Sequence, residues 1–207
     1  ASDLRRRFGV APDRPVVAAG STGVGEDRLV LDAFSAARRD VPDLLLVLAP
    51  RHPERFALAA EEAERRGFTV SRASSGAATQ GTDVLLVDTI GQLAALYVIA
   101  SSAFVGGSLV PVGGHNLLEP LAAGVPVLFG PHTEHVAEIA TALTLTGAGL
   151  RVEDGVALGR AFADLARHPD ERARRVALGR TFVESNRGAL RRAADLVLAI
   201  SDRSPAE

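Results

Sequence analysis

Residues 105–120 read VGGSLVPVGGHNLLEP, four glycines placed between an apolar run and the start of a helix. Glycine serves where a backbone must approach something closely or adopt positive φ. A helix start adds unpaired N–H groups and the positive end of a dipole, which suit an anion such as phosphate. Two readings therefore stand side by side at Gly114, His115 and Asn116. One is a phosphate held by backbone N–H groups; the other is a tight turn into a helix. Asn116 and Glu119 have the spacing of a capping box, in which the N3 carboxylate reaches back to the cap N–H. The glycine density favours a ligand, because capping requires no such loop. Glu119 can also accept two hydrogen bonds side by side, as the adjacent hydroxyls of a ribose would donate them. Arg51, flanked by Pro50 and Pro53, would project a permanently charged, planar group from a stiffened loop, with phosphate or carboxylate as natural partners. The stretch Asp88-Thr89-Ile90-Gly91-Gln92 either presents backbone groups to a base or caps a helix at Asp88 or Thr89. Ser21-Thr22-Gly23 adds a fourth, weaker signal.

Other chemistries find little support. His132, His135 and Glu138 approach metal-ligand spacing, but two histidines three apart make a poor zinc site and no cysteine is present to help. No metal is expected. A Gly-x-Ser-x-Gly elbow is absent. The net charge of −2 over 207 residues argues against nucleic acid, which calls for a basic excess on one face. The arginine pairs, such as Arg65-Arg66 and Arg174-Arg175, are spread over several predicted helices and read as solvated faces. No apolar run reaches the ~20 residues needed to span a bilayer. With no methionine at position 1, the chain reads as a piece of a longer protein.

These residues must be positioned by the elements around them. Short Val/Leu runs predict strands at 16–19, 44–49, 69–71, 84–87, 103–105, 125–129 and 149–152. Amphipathic stretches predict helices at 26–39, 54–66, 92–100, 116–123, 136–145, 155–167, 170–184 and 189–201, with Asp154 and Asp170 at capping positions. Residues 73–82 read as a loop. Continuous rather than alternating apolar runs suit strands buried on both faces, and strand–helix repetition indicates a parallel sheet. In such sheets ligands bind beyond the carboxyl ends of the strands. Five turn-rich, polar or charged segments, at 20–23, 50–53, 88–92, 106–119 and 130–133, all follow strands, whereas the opposite edge carries plain connections such as Asp40-Val41-Pro42-Asp43. The fold class is thus α/β, a Rossmann-like parallel sheet flanked by helices.

At these residues the chain resembles the carboxyl-terminal half of the 3-deoxy-D-manno-octulosonate (Kdo) transferases, glycosyltransferases of the GT-B fold. The resemblance runs through Val17-Ala18-Ala19-Gly20-Ser21-Thr22, Pro50-Arg51-His52-Pro53-Glu54-Arg55, Val87-Asp88-Thr89-Ile90-Gly91 and residues 106–119. It continues through residues 124–133 and Val183-Glu184-Ser185-Asn186-Arg187-Gly188-Ala189. It implies one nucleotide-sugar donor-binding domain over 1–207, with a sheet region at about 15–152 and carboxyl-terminal helices at 155–201. CMP-Kdo would be the donor, with no cofactor. Pro50, Arg51, Ile90, Gly91, Gln92, Asn116, Leu117, Leu118 and Glu119 would contact the CMP part. Ser21, Gly114 and His115 would complete the crevice. The acceptor (a lipid A precursor), the carboxylate base and the membrane-associating surface would belong to an amino-terminal domain outside this chain. The parent would act on the cytoplasmic face of the inner membrane, and the chain alone would bind CMP without catalysing transfer, so no residue is expected to be catalytic. The chain departs from the family pattern at Gly23 (commonly histidine), Gln92 (glutamate), Leu117 (proline) and His135 (asparagine). A UDP-sugar-using GT-B transferase or epimerase would share the crevice but fit residues 106–120 less well; a non-catalytic nucleotide-binding module is a third reading.

Overall fold

The computed structural model describes residues 1–76 and 81–201, with side chains through Ser185. Seven parallel strands form one sheet: β1 (Val16–Thr22), β2 (Leu45–Pro50), β3 (Val70–Arg72), β4 (Val84–Leu86), β5 (Ser102–Val105), β6 (Val127–Phe129) and β7 (Gly149–Arg151). They lie in the order β3-β4-β2-β1-β5-β6-β7. The chain builds outward from β1 through β2, then crosses back to place β5 on the other side of β1. That reversal opens a crevice above the carboxyl ends of the central strands. Both edge strands, β3 and β7, are three residues long and end on exposed arginines, Arg72 and Arg151.

The continuous Val/Leu runs follow from burial on both faces. Val17 and Ala19 of β1 pack with Leu46 and Leu48 of β2 against α2 (Glu26–Ala37), α3 (Phe56–Arg65) and α7 (Gly155–Arg167). Val16 and Ala18 pack on the other face with Leu45 and Val47, beneath Leu96 and Tyr97 of α4 (Leu93–Tyr97). Further along that face, Val105, Val127 and Phe129 meet α5 (Leu118–Ala122), α6 (Ala137–Thr146) and α8 (Pro169–Ser201). Each fully buried Val, Leu or Phe contributes about 1.5–3 kcal/mol relative to exposure.

All seven expected strands form, with ends shifted by up to three residues. Four helical expectations need correction. The helix expected from Asn116 starts at Leu118, and the one expected over 92–100 covers only Leu93–Tyr97. The two helices expected over 170–184 and 189–201 are one, because no proline separates them and Gly188 is accommodated within the helix. That helix begins at Pro169, so Asp170 lies in its first turn rather than at its cap. Asp154 does cap α7, accepting the Ala157 N–H at 2.7 Å. Within the segment read as a loop, residues 73–75 make a 3₁₀ turn, and residues 77–80 lie outside the described ones. A helix not anticipated, α1 (Ser2–Arg7), is too short to show an amphipathic period. It is held instead by Arg5, which donates to the carbonyls of Ala11, Arg14 and Ile99 at 2.8–2.9 Å.

Candidate functional site

Strand β1 ends in an irregularity. Gly20 pairs with Ala49 but Thr22 pairs with Pro50, so Ser21 is a bulged residue. Its φ of 55° is the one positive value at a non-glycine residue among those described. Left-handed backbone costs an L residue roughly 1–2 kcal/mol and concentrates at functional sites. Here it turns Ser21 toward a cavity of about 470 Å³ above the ends of β1, β2 and β4.

The cavity gathers segments far apart in sequence. Pro50 and Arg51 leave β2, Ile90 and Gly91 follow β4, and Glu119 comes from α5. Arg51, Gly91 and Glu119 thus line one space rather than separate surfaces. The Arg51 N–H donates to the Thr22 carbonyl at 3.0 Å, tying the β2 exit to the β1 exit. Arg51 and Glu119 are exposed and Ile90 is 88% exposed, so these groups face the open cleft. The oxygens of Thr89 Oγ1, in the lining, and Gln92 Oε1, at the cap position of α4, are buried without hydrogen-bond partners among the described residues. Asp88 caps no helix; its carboxylate accepts the Ser74 N–H and hydroxyl at 2.9 and 2.6 Å. Burial raises the Asp88 pKa, but these bonds and Arg72 prevail and hold it below the ordinary value.

The remaining predicted site residues lie outside the cavity lining. Leu117 is completely buried beneath α5 and Leu118 packs against the same cluster, so neither side chain reaches the crevice. Asn116 accepts the Leu118 N–H at 3.0 Å, and its side-chain amide donates to Glu119 at 3.2 Å. The expected capping box is therefore replaced by an Asx-type turn, with the Glu119 carboxylate held by a side chain rather than by the cap N–H. Gly114 faces the loop after β6, and its N–H donates to the Gly107 carbonyl within its own loop after β5 at 2.7 Å. His115 lies against Gly107 and His135 against Gly113, within 3 Å of where each glycine would carry a Cβ. Burial, and next the nearby Arg51, push the His115 pKa below its ordinary value, against a smaller upward pull from Glu26.

The glycine loop also differs from expectation in what it holds. Gly107, Gly113 and Gly114 take positive φ, and Gly106 is a close approach, since a Cβ there would stand 2.5 Å from the Ser21 carbonyl oxygen. The N–H groups of Gly107, Ser108 and Leu109, however, do not face the crevice; they donate to the buried carboxylate of Glu26. The phosphate cradle expected from the glycine density is in part filled by the chain itself.

Sequence reasoning passed over Glu26, Asp27, Arg55 and Tyr97. Asp27 accepts the Thr22 hydroxyl at 2.6 Å and pairs with Arg55 from the loop after β2. Tyr97 is fully buried with its hydroxyl against Gly20; burial and the nearby Glu119 push its pKa up. Adjacent acids at a helix start read as first-turn residues favoured by the dipole, and a tyrosine at helical spacing reads as core. The only signal separating Glu26 and Asp27 was their burial, which the sequence does not display.

No family model matches the chain. It is 40% identical over 194 residues to the 3-deoxy-D-manno-octulosonic acid transferase of Haemophilus influenzae, covering 93% of this chain and 45% of that protein. To the enzyme of the same name from Bordetella pertussis it is 41% identical, covering 89% of this chain and 44% of that protein. The chain thus spans somewhat under half the length of these relatives. Among solved structures, the C-terminal CMP-Kdo binding domain of WaaA from Acinetobacter baumannii superposes with a TM-score of 0.82 at 28% identity. That match covers 88% of this chain and 95% of that domain. The parallel sheet flanked by helices is accordingly that of a GT-B carboxyl-terminal domain. In sequence and in architecture, the chain belongs to the 3-deoxy-D-manno-octulosonic acid transferase family and corresponds to its carboxyl-terminal domain.

Proposed function

We propose that this chain is the donor-binding half of a glycosyltransferase that moves Kdo from CMP-Kdo to a lipid A precursor. The observation that carries the proposal is the convergence of Arg51, Gly91 and Glu119 from three strand exits on one cavity. It does so in a chain about 40% identical to Kdo transferases. The Arg51 guanidinium binds the donor phosphate, and the Glu119 carboxylate accepts from ribose hydroxyls. The partnerless hydroxyl of Thr89, a residue of the lining, suits a cytosine, whose exocyclic amine donates. Leaving such an oxygen buried and unpaired costs about 1–3 kcal/mol, which a base entering the cavity offsets.

In the transfer, an acceptor hydroxyl oxygen bonds to the anomeric carbon as the carbon–oxygen bond to the CMP phosphate breaks. The bonding pair leaves with CMP, and the hydroxyl proton passes to a base on the other half of the cleft. Arg51 stabilises the charge that grows on the departing phosphate. Half a cleft cannot orient an acceptor, so the isolated chain binds CMP and turns nothing over. The acceptor and its membrane surface are reached through the remaining half of the enzyme, at the cytoplasmic face of the inner membrane. Among the described residues, no helix is long and apolar enough to cross a membrane.

Calorimetric titration with CMP, UMP and UDP tests the reading. CMP is expected to bind with a clear preference; a preference for either uridine nucleotide overturns it.

A further inference from the structure

Glu26 is the first residue of α2 and is completely buried. Its carboxylate accepts four backbone N–H groups: Gly23 at 2.9 Å, Gly107 at 2.6 Å, Ser108 at 2.9 Å and Leu109 at 2.8 Å. Three of these donors are consecutive and curl around one anion, the arrangement that in other proteins receives a phosphate. Here the anion is supplied by the chain itself. Gly106 leaves room for it, since a Cβ at that position would come within 2.7 Å of Glu26 Oε2.

The grip of α2 extends past this loop. Asp27 holds the Thr22 hydroxyl and the Arg55 guanidinium, and Thr22 in turn receives the Arg51 N–H. Gly107, fixed by Glu26, carries the His115 ring against it. The first turn of α2 therefore sets the exits of β1, β2 and β5 together, around the cavity that holds Ser21 and Arg51.

We infer that Glu26 is a positioning residue for nucleotide binding, an internal anion that locks the glycine loop before ligand arrives. The inference rests on the CMP-binding reading for its functional readout. It also implies that the donor phosphate does not enter the Gly107–Leu109 concavity, which is already filled.

The test is Glu26→Ala with chemical rescue. Titrated with CMP, the variant is expected to lose at least tenfold in affinity. Formate or acetate, small enough to occupy the vacated space, is expected to restore it to within about threefold of the parent chain. In amide correlation spectra, the Gly107, Ser108 and Leu109 signals should move on substitution and return with the added carboxylate. Affinity within twofold of the parent, or a folded variant that formate and acetate leave unchanged in both readouts, overturns the inference. If Glu26→Ala does not fold, Glu26→Gln keeps the volume but turns an amide N–H₂ onto the loop donors. It should fold and lose at least fivefold in CMP affinity, and parent-like binding overturns the inference. Should the parent chain itself fail to bind CMP, the functional reading falls, while the amide signals of Glu26→Ala with formate still decide the role of Glu26.

Discussion

Arg51 and Glu119 carry the heaviest functional weight of any single side chains. Replacing either with alanine is expected to weaken CMP binding by about 1.5–3 kcal/mol, typical of lost charge-assisted hydrogen bonds, or tenfold and more by calorimetry. Folding should survive both changes, since the two side chains are exposed. His115 adds a pH dependence. Its pKa lies below the ordinary value through burial and Arg51. The unfolded chain therefore holds more protons near and below about pH 6.5, and stability present at neutral pH is lost as pH falls through that range. Thermal melts between pH 8 and pH 5 should show midpoints falling on the acid side, and His115→Gln should flatten that slope. At this scale the sequence was readable where chemistry depends on residue type. A proline-flanked arginine and a carboxylate after glycines stood out. Leu117 and Leu118 did not disclose that they face the core, and Glu26 did not disclose that it fills the loop, because both facts depend on tertiary burial.

Elements formed where their signals were local. Most of the strands were legible because short apolar runs bounded by turns fit a sheet covered on both faces. The Asp154 cap of α7 was legible for the same reason, and Asp154→Ala is expected to cost 0.5–2 kcal/mol in chemical denaturation through the lost bond to the Ala157 N–H. Short helices were harder. The five residues of α4 and of α5 give too little period to locate their starts. Asn116 made a tight turn with its own side chain where a longer helix was expected. The surface arginines mostly neutralise local acids, as Arg174 and Arg175 do with Glu171, whose pKa falls to about 2 chiefly through the Arg174 hydrogen bond. The pair made by the exposed Arg174 contributes little to stability.

The whole molecule is a sheet clasped between two helical layers, and its stability resides in that sandwich. Phe162 of α7 is completely buried in the cluster that joins α2 to the sheet. Phe162→Ala is expected to destabilise by about 3–5 kcal/mol, measured as a shifted urea midpoint with an unchanged slope. The site lies apart from that sandwich, on loops leaving one rim of the sheet and held together by Glu26 and Asp27. That division was foreseeable from the strand–helix alternation, since every parallel strand must release its following loop on the same side. Which loop would touch which was not foreseeable, because α2 joins them through two acids that look ordinary in sequence.

The two outermost strands have a consequence of their own. A long, flat border of unpaired amides is a template onto which a neighbouring molecule can add, the first step toward fibrils. Here each border offers only three residues and finishes on an exposed arginine, Arg72 at one side and Arg151 at the other, each beside an acid, Asp88 and Glu153. So short a border gives a neighbouring molecule little ladder to extend, which works against growth into a cross-β fibril.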